Sequence, residues 1–194
     1  MHILAITPGE GLDRARWERV AGSGIDAFMI REPGMDPREL LVAVRWLRDL
    51  APGLGLWING RLDVALAGRC GLHAPEAYPQ VPHGLLTLSR PIHDPDQVPE
   101  RSGAHQLILS PIFPVPGKGP AWGPGKLRAV LDAMPPVAGR VLALGGISTA
   151  NAAQLKHARL DGVALIRALW SAPDPALAVA QLRASWRTDG AASS

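Results

Sequence analysis

The sequence predicts a (β/α)8 barrel, an α/β fold that here forms a single domain, and three observations lead to it. Short apolar runs alternate along the chain with amphipathic stretches, which is the pattern of repeated βα units. The runs are apolar on both faces, as are strands of a parallel sheet that helices cover. Eight runs are present, and eight parallel strands close into a barrel more readily than they spread out. An open parallel sheet is the alternative.

The predicted elements follow the chain in order. The strands are 3–7, 27–31, 56–59, 71–74, 85–89, 106–110, 141–144 and 162–166. The helices are 12–21, 36–50, 61–67, 96–101, 125–134, 149–157 and 175–186. The second helix has the clearest pattern, because its apolar residues recur at helical spacing and Asp36 followed by Pro37 is a typical start signal. The prolines of segment 75–84 predict an irregular connection where the fourth helix would lie.

Composition sets the class of protein. Hydrophobic residues make up 47% and charged residues 19% of the chain, which is enough apolar side chain for a sizeable core. We expect residues 1–187 to form the barrel and the polar tail 188–194 to be disordered. No apolar run approaches the roughly 20 residues of a membrane span, and the N-terminus lacks the basic region of a secretion signal. We therefore expect a cytoplasmic protein without a membrane partner.

Charge and cysteine content argue against a nucleic-acid-binding protein, a disulfide-stabilised protein and a zinc protein. The sequence pI is near 9.6, but the net charge of +3 comes from scattered arginines and the aromatic residues do not interleave with them. This pattern does not favour binding to nucleic acid. The single cysteine, Cys70, cannot form an internal disulfide, and no Cys/His spacing resembles a zinc site.

The strongest chemical signal follows the seventh predicted strand. In a (β/α)8 barrel the catalytic groups lie at the carboxyl ends of the strands, and many barrels hold a phosphate at loops seven and eight. Gly145 and Gly146 let backbone N–H groups approach an anion closely. The pair predicts a phosphorylated ligand; a tight turn without a ligand is the alternative.

Two cationic side chains are expected at the same mouth. Lys118 lies in the proline-rich segment 110–120, which favours a lid bearing one cation, although a solvated surface loop is also open. Arg31 shares a strand face with Met29, so it points into the mouth if Ile30 packs against helices. There it would bind a carboxylate or phosphate, and a salt bridge to a neighbouring loop is the alternative.

Histidines are the natural candidates for acid/base chemistry near neutral pH. Two of the six, His73 and His93, fall at the end of a predicted strand or just beyond one. A structural role is the alternative for each.

Several segments together carry a resemblance to a known family. They are Ile30-Arg31-Glu32, residues 58–66 (INGRLDVAL), Gly71-Leu72-His73, Pro111-Ile112-Phe113-Pro114 with Lys118, Leu144-Gly145-Gly146-Ile147 and Gly162-Val163-Ala164. In this order, from the first strand to the eighth, they resemble the thiamine phosphate synthase/TenI superfamily. The resemblance implies a (β/α)8 barrel that binds thiazole phosphate compounds.

The superfamily has two branches, and the resemblance favours one. The synthase branch joins a pyrimidine diphosphate to a thiazole phosphate with Mg²⁺; its glutamine, lysine and two metal-binding aspartates are Met29, Pro33, Gly60 and Tyr78 here. The TenI-like thiazole tautomerases carry the form Asn59-Gly60-Arg61, need no metal and move a proton to aromatise a thiazole phosphate carboxylate. The resemblance therefore favours a tautomerase, an isomerase without cofactor. A synthase that needs Mg²⁺ and a non-catalytic binding barrel are the alternatives.

The resemblance also implies roles for individual residues. The histidine that tautomerases carry after the sixth strand is Pro111 here, so another group would carry the proton. The candidates for that group are, in order, His73, His93 and Glu32. The expected substrate-binding residues are Arg31, Asn59 and Lys118, and the expected phosphate-binding residues are Gly145, Gly146 and Arg167. Arg167 stands where relatives have a small hydroxyl residue, so it either adds an ion pair or blocks the site. The expected partner is a small-molecule thiazole phosphate, and a homodimer is left open.

Overall fold

The computed structural model describes residues 1–82 and 84–187, and the tail predicted to be disordered lies outside these residues. Eight parallel strands close into a barrel in sequence order, with the last strand paired to the first. The strands are β1 His2–Ile6, β2 Ala27–Ile30, β3 Gly55–Asn59, β4 Gly71–His73, β5 Leu88–Ile92, β6 Gln106–Leu109, β7 Arg140–Leu144 and β8 Gly162–Leu165. The predicted (β/α)8 barrel is confirmed.

Helices cover the outside of the barrel. They are α1 Arg14–Ala21, α2 Pro37–Leu50, α3 Leu62–Gly68, α4 Val98–Arg101, α5 Gly123–Ala133, α6 Arg167–Trp170 and α7 Pro175–Arg187, with 3₁₀ turns at Pro95–Gln97 and Ala152–Leu155. The start of α2 is a reciprocal capping box, in which the Asp36 side chain accepts from the Glu39 amide and the Glu39 carboxylate accepts from the Asp36 amide. None of the described helices combines the length and apolar character of a membrane span.

Successive residues of each strand face alternately outward and inward, which divides the core in two. The outward residues, such as Ile30 and Leu72, pack against the helices. The inward residues fill the barrel, and its largest interior side chain is Trp57 on β3. The Trp57 ring lies over Gly71 on the next strand, where an added Cβ would come within 2.4 Å of Cε3. The interior is thus filled below the carboxyl ends of the strands, where the barrel opens.

Two predicted elements are wrong, and each has a local reason. β5 begins at Leu88 rather than at residue 85, because Leu85 is exposed and the register is fixed by the pairing of Leu72 with Leu88. The helix predicted at 149–157 is only the 3₁₀ turn at Ala152–Leu155. Asn151 uses its side chain to accept from the Ser148 amide and to donate to the Gly146 carbonyl, which ties this segment to the preceding loop.

Two short elements complete the comparison with the sequence. No helix forms in the described part of the β4–β5 connection, as its prolines predicted. α6, which was not predicted, has four residues and is too short to show a helical period.

Candidate active site

A cavity of about 1210 Å³ opens at the carboxyl ends of the strands, and each of the eight strands or the loop after it contributes to its wall. Eight of the nine site residues expected from the sequence line it together. These are Arg31, Asn59, His73, His93, Lys118, Gly145, Gly146 and Arg167. This volume exceeds that of a typical pocket for one small ligand. The cavity therefore has room for more than one group of functional side chains.

Three cationic side chains line this cavity without a partner among the described residues. The side chains of Arg31, Lys118 and Arg167 line it, and none of them forms an ion pair or hydrogen bond with the described residues. Ile30 packs against the helices, so Arg31 points into the mouth as its strand position predicted. A fourth cation, Lys126, lies 5.2 Å from the centre of the Trp122 ring at the same wall. The arrangement is suited to an anionic ligand.

The glycine pair after β7 packs against the sixth loop, segment 110–120. Gly145 and Gly146 have φ angles of 108° and 63°, and their backbone amides donate to no acceptor in the part of the chain that is described. An added Cβ would lie 2.9 Å from Pro111 Cα at Gly145 and 2.7 Å from Phe113 Cβ at Gly146. The glycines thus allow two loops to pack closely and leave two N–H donors open to the cavity.

Glu32 lies apart from the other expected site residues. It does not line the cavity, and only 5% of its surface is exposed. Its carboxylate accepts hydrogen bonds from the Gly9 amide at 3.1 Å and the Gly11 amide at 2.6 Å. Glu32 therefore holds the β1–α1 loop in place, and the geometry gives no support to its expected role as a proton carrier.

His73 lies at the end of β4 with its ring in the cavity wall. Burial lowers the pKa of His73 to about 4, with smaller contributions in the same direction from Arg90, His93 and Arg31. The expectation that this imidazole titrates near neutral pH is wrong, because its surroundings disfavour the charged form. Nδ1 lies 2.9 Å from the Ser89 hydroxyl, which leaves Nε2 for a ligand. His73 is a neutral hydrogen-bonding group at the pH of most cells.

His93 is placed more favourably than the sequence indicated. Because β5 ends at Ile92, His93 follows the strand directly rather than lying farther along a loop. Its Nδ1 lies 3.0 Å from the Ser110 carbonyl oxygen and its Nε2 lies 3.4 Å from Oε2 of Glu76. About half of each side chain is exposed, and both line the cavity. The pair places a histidine and a carboxylate together at the cavity wall.

The cavity does not offer the ligands of a magnesium site. Mg²⁺ prefers carboxylate oxygens, and no group of three or more Asp, Glu, His or Cys side chains within the described residues is arranged to hold a metal. Of the two carboxylates in the wall, Glu76 is bound by Arg101, and Asp94 accepts from the Asp96 amide in its own turn. The hydroxyl of Tyr78 accepts a hydrogen bond from the Leu62 amide.

Sequence reasoning missed three charged residues of the wall, Glu76, Asp94 and Lys126. Glu76 follows β4 by three positions, and its place in the loop after a barrel strand could have indicated it. Lys126 lies in the first turn of α5, and nothing in the sequence separates it from other surface lysines.

Comparison with known proteins identifies the family. A family model described as thiamine monophosphate synthase (TMP-TENI) matches residues 4–169. The chain is 34% identical to the thiamine-phosphate synthase of Moorella thermoacetica, covering 93% of this chain and 92% of that protein. It is 32% identical to the thiamine-phosphate synthase of Chloroflexus aurantiacus, with coverages of 93% and 91%. A solved thiamine phosphate pyrophosphorylase from Pyrococcus furiosus superposes with a TM-score of 0.81 at 23% identity, covering 95% of this chain and 94% of that one, which shows a shared fold.

Proposed function

Because this chain belongs to the thiamine monophosphate synthase (TMP-TENI) family, we propose that it is an enzyme of thiamine biosynthesis that binds a thiazole phosphate in the barrel mouth. One observation carries the proposal. Three cationic side chains and the amides of Gly145 and Gly146, none of which has a partner among residues 1–82 and 84–187, line a single cavity. The phosphate binds at Gly145, Gly146 and Arg167, where backbone donors and a guanidinium are combined.

The chemistry that this geometry supports best is metal-independent proton transfer. In the proposed reaction a thiazole phosphate carboxylate loses a proton from one atom and regains one at another, so its composition does not change and the ring becomes aromatic. Arg31 and Lys118 hold the substrate carboxylate, and Asn59, whose side chain has no partner among the described residues, hydrogen-bonds the ring. The site would thus act as a thiazole tautomerase.

The two histidines take different parts in this proposal. A histidine with a pKa of about 4 is a weak base at neutral pH, so His73 orients the ring by a hydrogen bond from or to Nε2. His93 lies at the cavity wall beside a carboxylate and in contact with solvent, and we assign the proton transfer to it. This reverses the order of candidates expected from the sequence, in which His73 came first.

Thiamine phosphate synthesis is the second candidate, and the relatives favour it. Two proteins that are more than 30% identical over more than nine-tenths of this chain are named thiamine-phosphate synthases. The side chains of the cavity favour the tautomerase, because they do not provide the carboxylates that would hold Mg²⁺ near a departing pyrophosphate.

One pair of assays separates these functions. Protein treated with a chelator is given the non-aromatic thiazole phosphate carboxylate, and aromatisation is followed by ultraviolet absorbance. In parallel, thiazole phosphate and the pyrimidine diphosphate are supplied with and without Mg²⁺, and thiamine phosphate is measured. We expect turnover in the first assay and none in the second. Metal-dependent thiamine phosphate formation would establish the synthase instead, and thiazole phosphate binding without either reaction would indicate a non-catalytic barrel.

Variants then test the assignment of the proton carrier. Loss of a general acid/base group lowers kcat by about 10²-fold or more, and we expect this for His93→Ala with little change in KM. His157→Ala is the matched control, because His157 also pairs with a carboxylate, Asp132 at 2.9 Å, but does not line this cavity. A wild-type rate in His93→Ala would remove His93 from the mechanism.

A further inference from the structure

Arg101 is a buried cation whose place is not explained by the proposed reaction. It is the last residue of α4, and 8% of its side chain is exposed. A guanidinium removed from water needs acceptors for its N–H groups, and Arg101 donates to the Pro91 carbonyl at 2.7 Å. Its other terminal nitrogen lies 3.3 Å from Oε1 of Glu76. Arg101 therefore joins the end of β5 to the carboxylate that follows β4.

This contact determines how Glu76 is oriented. Oε1 of Glu76 receives Arg101 and the side-chain amide of Gln97, so the second oxygen, Oε2, is turned toward His93. An exposed carboxylate–histidine pair stabilises a fold by only about 0–1 kcal/mol. The Glu76–His93 contact therefore adds little to the stability of the folded state. The buried Arg101 holds the Glu76 carboxylate in place whether or not His93 contacts it.

The ring of His93 is held from both sides. A carbonyl oxygen only accepts hydrogen bonds, so the contact with Ser110 places a proton on Nδ1 of His93. Nε2 then faces the Glu76 carboxylate at the edge of the cavity, so both ring nitrogens have a partner. Arg101 lies behind Glu76, and the other charged or titratable groups that line the cavity are His73, Asp94, Arg31, Lys118, Lys126 and Arg167.

We infer that Glu76, anchored by Arg101, is a positioning residue that fixes the orientation of the His93 ring at the cavity wall through its contact with Nε2. The inference rests on the proposed function, in which His93 carries the proton. His93 gives one proton to the substrate and takes one back, so no other reactant is needed. Glu76 acts on the substrate only through His93.

The test compares Glu76→Gln, Glu76→Asp and wild type in the tautomerase assay across pH, together with NMR spectra of the His93 ring in ligand-free protein. Removal of the charge should lower kcat by about ten-fold or more, with a smaller change in KM. The His93 ring signals should shift and broaden in Glu76→Gln because the ring is no longer held at Nε2, and aspartate should restore part of both effects. Asp132→Asn, which disrupts the carboxylate–histidine pair outside the cavity, should leave both measurements unchanged.

The outcomes separate this inference from the proposed function. Unchanged His93 ring signals in Glu76→Gln, or altered signals with wild-type kcat and pH profile, would overturn the positioning role while the tautomerase stands. If wild-type protein does not turn over the thiazole, the proposed function fails and the ring signals alone decide whether Glu76 positions His93. Glu76→Gln should unfold at a lower temperature, because the buried Arg101 loses its charged partner, so kcat is measured well below the unfolding transition of each variant.

Discussion

Nδ1 of His73 lies 2.9 Å from the hydroxyl of Ser89, and that hydroxyl also accepts a hydrogen bond from the Gln106 side chain at 3.2 Å. The three residues stand side by side at one level of β4, β5 and β6. Ser89 and Gln106 are fully buried, so a short polar chain crosses the barrel interior and ends at the cavity wall. It fixes the His73 ring, and burial there keeps the ring neutral.

The lowered pKa of His73 predicts a pH dependence of stability. Its value in the folded protein is about 4 against 6.5 for a free histidine, so the unfolded chain binds more protons between these values. The free energy of unfolding should therefore decrease as the pH falls from 6.5 to 4. His73 accounts for at most about 3 kcal/mol of this decrease. Urea unfolding across this range should show a weaker dependence in His73→Gln. His2, whose pKa burial also lowers, acts in the same direction and is common to both proteins. An identical pH dependence in the variant would contradict the prediction.

The fold could be predicted from the sequence, because the spacing of apolar residues along short segments distinguishes buried strands from amphipathic helices. The error in β5 arose where Leu85 continues an apolar run but is exposed, and pairing with β4 set the true start of the strand. The family was also recognisable, since its segments keep their order along the chain and the comparison confirms it. The branch within the family stays a prediction.

Individual roles in the site were less predictable, because they depend on contacts distant in sequence. Glu32 follows Arg31 directly, yet its carboxylate is bound by amides more than 20 positions earlier. The pKa of His73 depends on burial beneath several loops, which no sequence pattern reports. Strand position did predict the direction of Arg31, since alternation along β2 is a local property.

Replacing Glu32 by glutamine should reduce stability more than catalysis. The two backbone amides that donate to this buried carboxylate would meet an amide with one acceptor oxygen and one donor nitrogen. Loss of a buried hydrogen bond to a charged group costs about 1–3 kcal/mol, and urea unfolding should show a loss of this size. The kcat of the folded variant should stay close to that of wild type. A large fall in kcat without loss of stability would restore Glu32 as the proton carrier.

Alanine at Gly146 should destabilise the protein through a collision as well as through backbone strain. Its φ is 63°, and the added Cβ would meet Phe113 Cβ at 2.7 Å and the Pro114 carbonyl oxygen at 3.0 Å. Gly117→Ala is the matched control, because φ there is 74° and no atom lies within 4 Å of the added Cβ. The strain common to both variants costs about 1–2 kcal/mol, so only Gly146→Ala should lose more than this in urea unfolding. Equal losses would mean that the sixth loop moves away without cost.

Replacing Arg167 by alanine should weaken the binding of phosphorylated ligands. The guanidinium lies at the cavity wall beside the glycine pair without an ion pair to the described residues, so a phosphate can take it as a direct partner. We expect the Kd for thiazole phosphate, measured by calorimetry, to rise by about ten-fold, which corresponds to about 1.4 kcal/mol. The difference between wild type and variant should shrink at high salt, because the exposed charge is screened. Arg45→Ala, which removes an exposed cation of α2 outside the cavity, controls for net charge. Tighter binding in Arg167→Ala would instead mean that this side chain blocks the site.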